Sequence, residues 1–160
     1  MDRLWTPWRY QYISSAPSAP EGCIFCVKPA GQDDEANLIV DRGRHNFVLL
    51  NLFPYNNGHL MVAPYAHAAT LEEIDSATSA ELFDLTRHCE AVLRRVYRPQ
   101  GINIGMNIGA CAGAGVAGHI HMHLLPRWVG DAGFITTVGE TRVLPEELAT
   151  TWRRLREAWQ

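Results

Sequence analysis

No run of apolar residues in the 160-residue sequence approaches the ~20 that a bilayer-spanning helix needs. Positive charge is also scarce. Lys and Arg number 14 against 17 Asp and Glu, which leaves a net charge of −3 and a pI near 6.1. That balance excludes the basic footprint of a nucleic-acid binder, so any anionic ligand must be gripped by a local site. The opening residues lack the pattern of a secretory leader, with two tryptophans and two arginines in the first nine, and a cytoplasmic location is expected. There is no internal repeat. Cysteine is limited to four residues, and without secretory context they do not read as a disulfide framework.

What is present suits one soluble domain. Apolar residues make up 47% and charged residues 19% of the chain. A domain of this length buries roughly 68–70% of its unfolded surface. Residues 1–20 read as an N-terminal arm, aromatic and basic at first and then Ser/Ala/Pro linker, and 21–160 as a single domain. Runs at 38–41, 46–52 and 59–64 are apolar or alternating and are divided by turn signals, so each is expected to be a strand. Residues 33–36 between the cysteines and the first strand read as polar loop. Leu82, Leu85, Cys89, Val92 and Val96 recur at three and four, which predicts an amphipathic helix over 78–97, stopped by Pro99 and Gly101. Thr70 with Glu73 has the form of a capping box opening that helical region. A strand is expected at 102–108, then a glycine-rich loop at 109–118. The pattern allows a short strand near 134–138, and a last helix begins at Pro145. Five antiparallel strands, one long helix packed on one face and a C-terminal helix give the fold class α+β.

The chain is organised around Gly118-His119-Ile120-His121-Met122-His123-Leu124-Leu125-Pro126-Arg127. On a strand the side-chain period is two, so His119, His121 and His123 face one way and Ile120, Met122 and Leu124 the other, into a core. At ~3.3 Å per residue the outer two histidines lie roughly 13 Å apart, too far for one metal with ~2.1 Å nitrogen bonds to gather all three. Their roles must be divided. Cys23 and Cys26 stand as C-x-x-C, a spacing that reads as metal or redox. Cys89 falls at a core position of the long helix and reads as an inert small hydrophobe. Cys111 lies in the glycine-rich loop and is given no role.

The run His119-Ile120-His121-Met122-His123-Leu124-Leu125 resembles the signature of the histidine triad (HIT) family of nucleotide hydrolases and transferases. The likeness spans nearly the whole chain. Leu4-Trp5-Thr6-Pro7-Trp8-Arg9, Cys23-Ile24-Phe25-Cys26, Asn56-Asn57-Gly58-His59, Gly113-Ala114-Gly115-Val116 and Pro126-Arg127-Trp128-Val129-Gly130-Asp131 resemble one microbial branch, which includes diadenosine tetraphosphate phosphorylases. The resemblance implies a two-fold homodimer whose sheets join across the interface; the charge balance and the lack of a long apolar run had already left neither nucleic acid nor membrane as an expected partner. The resemblance also implies a structural zinc held by Cys23, Cys26, His67 and His119, with His45 and His59 as rivals for the third position. Four protein ligands close the shell, so such a zinc has no place for substrate.

By the same resemblance His121 attacks the α-phosphate and forms a nucleotidyl-histidine, which water or inorganic phosphate then releases. His123 donates hydrogen bonds to the phosphate oxygens, and His59 lines the same pocket. Asn51 meets the ribose hydroxyls, Asn107 the phosphate oxygens, and the loop at Gly113, Gly115 and Val116 offers backbone N–H groups. One departure matters. Relatives that hydrolyse small phosphoramidates or triphosphate-bridged dinucleotides carry Gln with Ser or Thr where Ala114 and Gly115 stand, and Ala117 looks like an insertion. The leaving group is then expected to be served by Arg127, Trp128 or a residue of a partner subunit. The implied function is nucleotidyl transfer from diadenosine polyphosphates, phosphorylase-like. The alternatives are an adenosine phosphoramidate hydrolase and a catalytically weak nucleotide-binding adaptor.

Overall fold

The structure, a computed structural model, describes residues 22–132 and 145–160. The expected arm at 1–20 and the possible strand near 134–138 lie outside the described residues. Helix α1 (Ile24–Ala30) opens the described chain, followed by the single turn α2 (Asp34–Asn37). Strands β1 (Ile39–Arg42), β2 (Asn46–Leu50) and β3 (Leu60–Pro64) come next, then a 3-10 turn at Leu71–Glu73 and the long helix α3 (Ser76–Tyr97). Strand β4 (Gly101–Met106), a 3-10 turn at Ala110–Ala112, strand β5 (Met122–Arg127) and helix α4 (Leu148–Glu157) complete the order. No helix among the described residues is long and apolar enough to cross a membrane.

The five strands form one antiparallel sheet in the order β1-β2-β3-β5-β4. Its central strands are buried on both faces, and the period of two sorts their side chains. Val48, Leu50, Val62, Met122 and Leu124 pack with Leu82, Cys89, Val92 and Leu93 of α3. Phe47, Leu49, Met61 and Ala63 face the other way and pack with Phe25 of α1. Met61 pairs with His123, so the histidine shares the α1 face. The long helix therefore holds the sheet from behind, and the chemistry has the opposite face.

Three expectations need adjustment. The residues expected as polar loop form α2, where Asp33 Oδ1 accepts from Ala36 N at 2.9 Å; four residues are too few to show a helical period. Thr70 makes no side-chain cap bond, and Glu73 accepts instead from Ala69 N at 2.7 Å, so the pair closes a 3-10 turn only. The long helix is capped by Asp75, whose Oδ1 accepts from Thr78 N at 2.7 Å. Finally, ladder pairing begins at Met122, so His119, at a bend, and His121 stand on the segment that leads into β5, anchored where Ile120 N donates to Ala68 O at 2.7 Å.

The two edges of the sheet differ. On β1, Trp152 of α4 donates its indole N–H to Ile39 O at 2.7 Å, so a helix covers that edge. On β4, no strand pairs along the outer side among the described residues, and Ile104 is exposed.

Candidate active site and metal centre

Backbone atoms decide what each triad histidine presents, because an imidazole with one nitrogen tied as donor offers the other as a lone pair. His119 donates Nε2–H to Pro64 O at 2.9 Å, which leaves its Nδ1 lone pair pointing at two sulfurs. That nitrogen lies 3.4 Å from Cys23 Sγ and 3.6 Å from Cys26 Sγ, and His67 Nδ1 lies 3.4 Å from Cys26 Sγ. All four ligand atoms fall within 4.8 Å of one another. A tetrahedral zinc with bonds of ~2.3 Å to sulfur and ~2.1 Å to nitrogen has sulfur–nitrogen edges of ~3.6 Å, and the observed spacings match. The cysteines come together because Cys23 caps α1 and its carbonyl accepts from Cys26 N at 2.9 Å, one turn on. His45 and His59, the rivals for the third position, are outside the cluster. Burial, and then the neighbouring Cys23, raise the Cys26 thiol above its ordinary range; a bound cation reverses that sign.

His121 is tied the opposite way round. Its Nδ1–H donates to His119 O at 2.8 Å, so the Nε2 lone pair is the one turned outward. Phe25 stacks on its ring at 4.6 Å between centroids. Burial holds His121 below the ordinary histidine range, partly offset by the bond to the His119 carbonyl. The ring is therefore neutral at pH 7 and its lone pair is available.

His123 receives its orientation through a relay. Tyr55 N donates to His59 Nδ1 at 3.2 Å, and Asn51 Nδ2 approaches the same nitrogen at 3.3 Å. His59 must then carry its proton on Nε2, which donates to His123 Nδ1 at 2.9 Å. His123 is left with an Nε2–H to offer. Burial, and then the nearby His121, push its pKa down to about 4.

His121 and His123 open into one cavity of about 190 Å³. Its wall is mostly apolar, with Ile24 and Phe25 of α1 and Leu49 and Met61 of the sheet. Asn51, Gly113, Gly115 and Val116 also line it. Gly113 has a φ of 91°, a conformation that side-chain-bearing residues avoid, and it turns the loop towards the histidines. Asn51 Oδ1 accepts from Phe53 N at 3.0 Å, which holds its amide at the rim.

Other expected residues fall elsewhere. His59 is fully buried and hydrogen-bonds His123, and it is not among the residues that line the cavity. Asn107 follows β4 and is not among the lining residues. Arg127 is bound to Asp131 at 2.6 Å and to Asn103 Oδ1 at 2.7 Å, and Trp128 packs edge-on against Tyr97; neither is among the residues that line the cavity. Sequence reasoning missed Phe25, Lys28 and Tyr55. The only signal for the first two is the spacing of Ile24, Phe25 and Lys28, and seven residues with a proline among them are too few to establish a helix face.

Comparison with known proteins agrees with this geometry. The family model described as HIT domain matches residues 33–129. The chain is 43% identical to the AP-4-A phosphorylase of Mycobacterium tuberculosis over 99% of this chain and 85% of that protein. It is 31% identical to the protein hit of Bacillus subtilis over 71% of this chain and 77% of that one. Among solved structures, a Zn-bound histidine triad family protein from Mycobacterium smegmatis superposes with a TM-score of 0.70 at 26% identity, covering 86% of this chain and 93% of that one. On the family match, the near full-length identity and the shared fold, the chain belongs to the histidine triad (HIT) family.

Proposed function

We propose that the protein is a nucleotidyl transferase acting on dinucleoside polyphosphates, with inorganic phosphate as the preferred acceptor. One observation carries this: a neutral His121 presents its Nε2 lone pair to a cavity in which His123 presents an N–H. Nε2 attacks the α-phosphorus, a P–N bond forms, and the P–O bond to the rest of the polyphosphate chain breaks. His123 donates to the phosphoryl oxygens as charge grows on them, from a position fixed in advance by His59 and the Tyr55 backbone. Phosphate oxygen then attacks the nucleotidyl-histidine, the P–N bond breaks, and a nucleoside diphosphate departs. The apolar wall suits the base and the Asn51 amide the ribose. The likeness to a protein named AP-4-A phosphorylase supports phosphate over water as acceptor.

Cys23, Cys26, His67 and His119 would hold a zinc ion, which supplies folding energy and fixes the lead-in strand. The open edge of β4, with Ile104 exposed, supports a homodimer formed across that edge, and a partner subunit is then the source of the leaving-group contact. The cytoplasm is the proposed location. The test is a product assay on diadenosine tetraphosphate. With phosphate, ADP and ATP in equal amounts are expected. AMP and ATP at the same rate with or without phosphate would make the protein a hydrolase, and no turnover at all would make it a binder.

A further inference from the structure

Lys28 has no part in the chemistry above, yet it stands on the cavity wall. It is the chain's one lysine, and among the described side chains lining the cavity it alone carries a fixed positive charge. Its surroundings on that wall are apolar, with Ile24 one helical turn earlier on α1 and Leu49 and Met61 on the sheet. Helix α1 starts at the metal corner, and Phe25 stacks on His121. At ~1.5 Å of rise per residue, Lys28 lies about 4–5 Å further along the axis than Phe25, away from the reacting phosphorus. A nucleotide whose α-phosphate meets His121 and whose base lies on the apolar wall therefore brings the base edge towards Lys28.

The ammonium is also held. Lys28 Nζ donates to Asn37 O at 2.9 Å, which restrains a stem that otherwise swings freely. An ammonium has three donors and no acceptor, so two N–H groups remain for a ligand. A flat apolar pocket alone binds any base ring by its area, and discrimination needs a polar group at a ring edge.

We propose that Lys28 reads the edge of a purine base by donating to one of its ring nitrogens, and so sets base preference. This rests on the nucleotide-binding reading of the cavity. The substitution Lys28→Met keeps the stem and the helix propensity while removing the donor. Binding of AMP, of its 1-deaza, 3-deaza and 7-deaza analogues and of ribose 5-phosphate is measured by calorimetry on both proteins, with zinc content determined for each. Lys28→Met is expected to weaken AMP about tenfold, the scale of one charged hydrogen bond. One deaza analogue is expected to bind the unsubstituted protein about tenfold more weakly than AMP and the variant no more weakly than AMP. Ribose 5-phosphate should not distinguish the two proteins. An equal loss on ribose 5-phosphate would assign Lys28 to the phosphate and overturn the proposal. So would unchanged AMP affinity, or three deaza analogues that all bind the unsubstituted protein as AMP does, a result that does not depend on how the variant folds. Failure of any nucleotide to bind the unsubstituted protein would overturn the nucleotide reading itself.

Discussion

His119 and His123 stand four residues apart in one segment and face the same side of the sheet, yet their rings are tied in opposite senses. His119 gives its Nε2–H to a backbone carbonyl and presents a lone pair to two sulfurs. His123 accepts at Nδ1 from His59 and presents a proton to the cavity. Between them His121 gives Nδ1–H to the His119 carbonyl and presents a lone pair to the same cavity. One residue type in one segment thus presents a lone pair to two sulfurs, a lone pair to a cavity and an N–H to the same cavity, the arrangement on which the proposed ligand, nucleophile and donor roles rest. The partner of the ring's other nitrogen makes the difference, and in each case that partner is the backbone or is itself fixed by it.

The comparison can be broken most severely at its middle member. His121→Asn removes the lone pair while leaving the ribose and base contacts, so turnover should fall by at least ~10³ with nucleotide affinity, zinc content and fold retained. Steady-state kinetics beside a binding titration checks this. His123→Asn removes one stabilising donor and should lose roughly 10²–10³ in turnover, less than its neighbour. A reversed order of these two losses would move the nucleophile by one pleat.

The metal corner should respond in a different quantity. Cys23→Ser is expected to abolish stoichiometric zinc and lower Tm by at least about 6 °C, the effect of roughly 2 kcal/mol or more on a domain of this size. Its residual activity below the new Tm should exceed that of either histidine variant. Metal analysis with thermal denaturation separates the two corners.

A smaller effect sharpens the account of His123. Its folded pKa is about 4 against ~6.5 for an unperturbed histidine, so between these values the unfolded chain binds more protons. Stability therefore rises with pH through that window. The contribution is complete above ~6.5 and lost as pH falls towards 4, a change on the order of 3 kcal/mol. The groups facing this ring are His59, His121 and Tyr55. Denaturant unfolding at pH 7, 5.5 and 4 should show a shallower acid loss in His123→Asn than in the unsubstituted protein.

Much of this was legible in the sequence, and for identifiable reasons. The alternation of histidine with apolar residues sorted His123 from Met122 and Leu124 on β5, since a strand has only two faces, whereas His119 and His121, expected on the same strand, precede it. The apolar spacing from Leu82 to Val96 specified α3 nearly to its ends. The C-x-x-C read as metal or redox, and the resemblance supplied His67 and His119, which the fold brings to the two cysteines. What stayed hidden depends on contacts between distant residues. His59 looked like a lining residue because its strand borders the pocket, but its side chain is buried behind His123, and only the register of β3 with β5 reveals that. Arg127 looked available for a leaving group, yet Asp131, four residues on, engages it. Lys28 went unread because seven residues of α1, one of them Pro29, show too little periodicity to declare a helix face.

The central claim is that His121 and no other histidine carries the transferred nucleotidyl group. Its most direct test is rapid quenching of the protein with diadenosine tetraphosphate in the absence of phosphate, followed by peptide mass spectrometry. The account predicts an adenylyl group on His121, formed before ATP accumulates beyond one equivalent and discharged as ADP when phosphate is added. An adenylyl group on His123, or turnover without any labelled histidine, would contradict it.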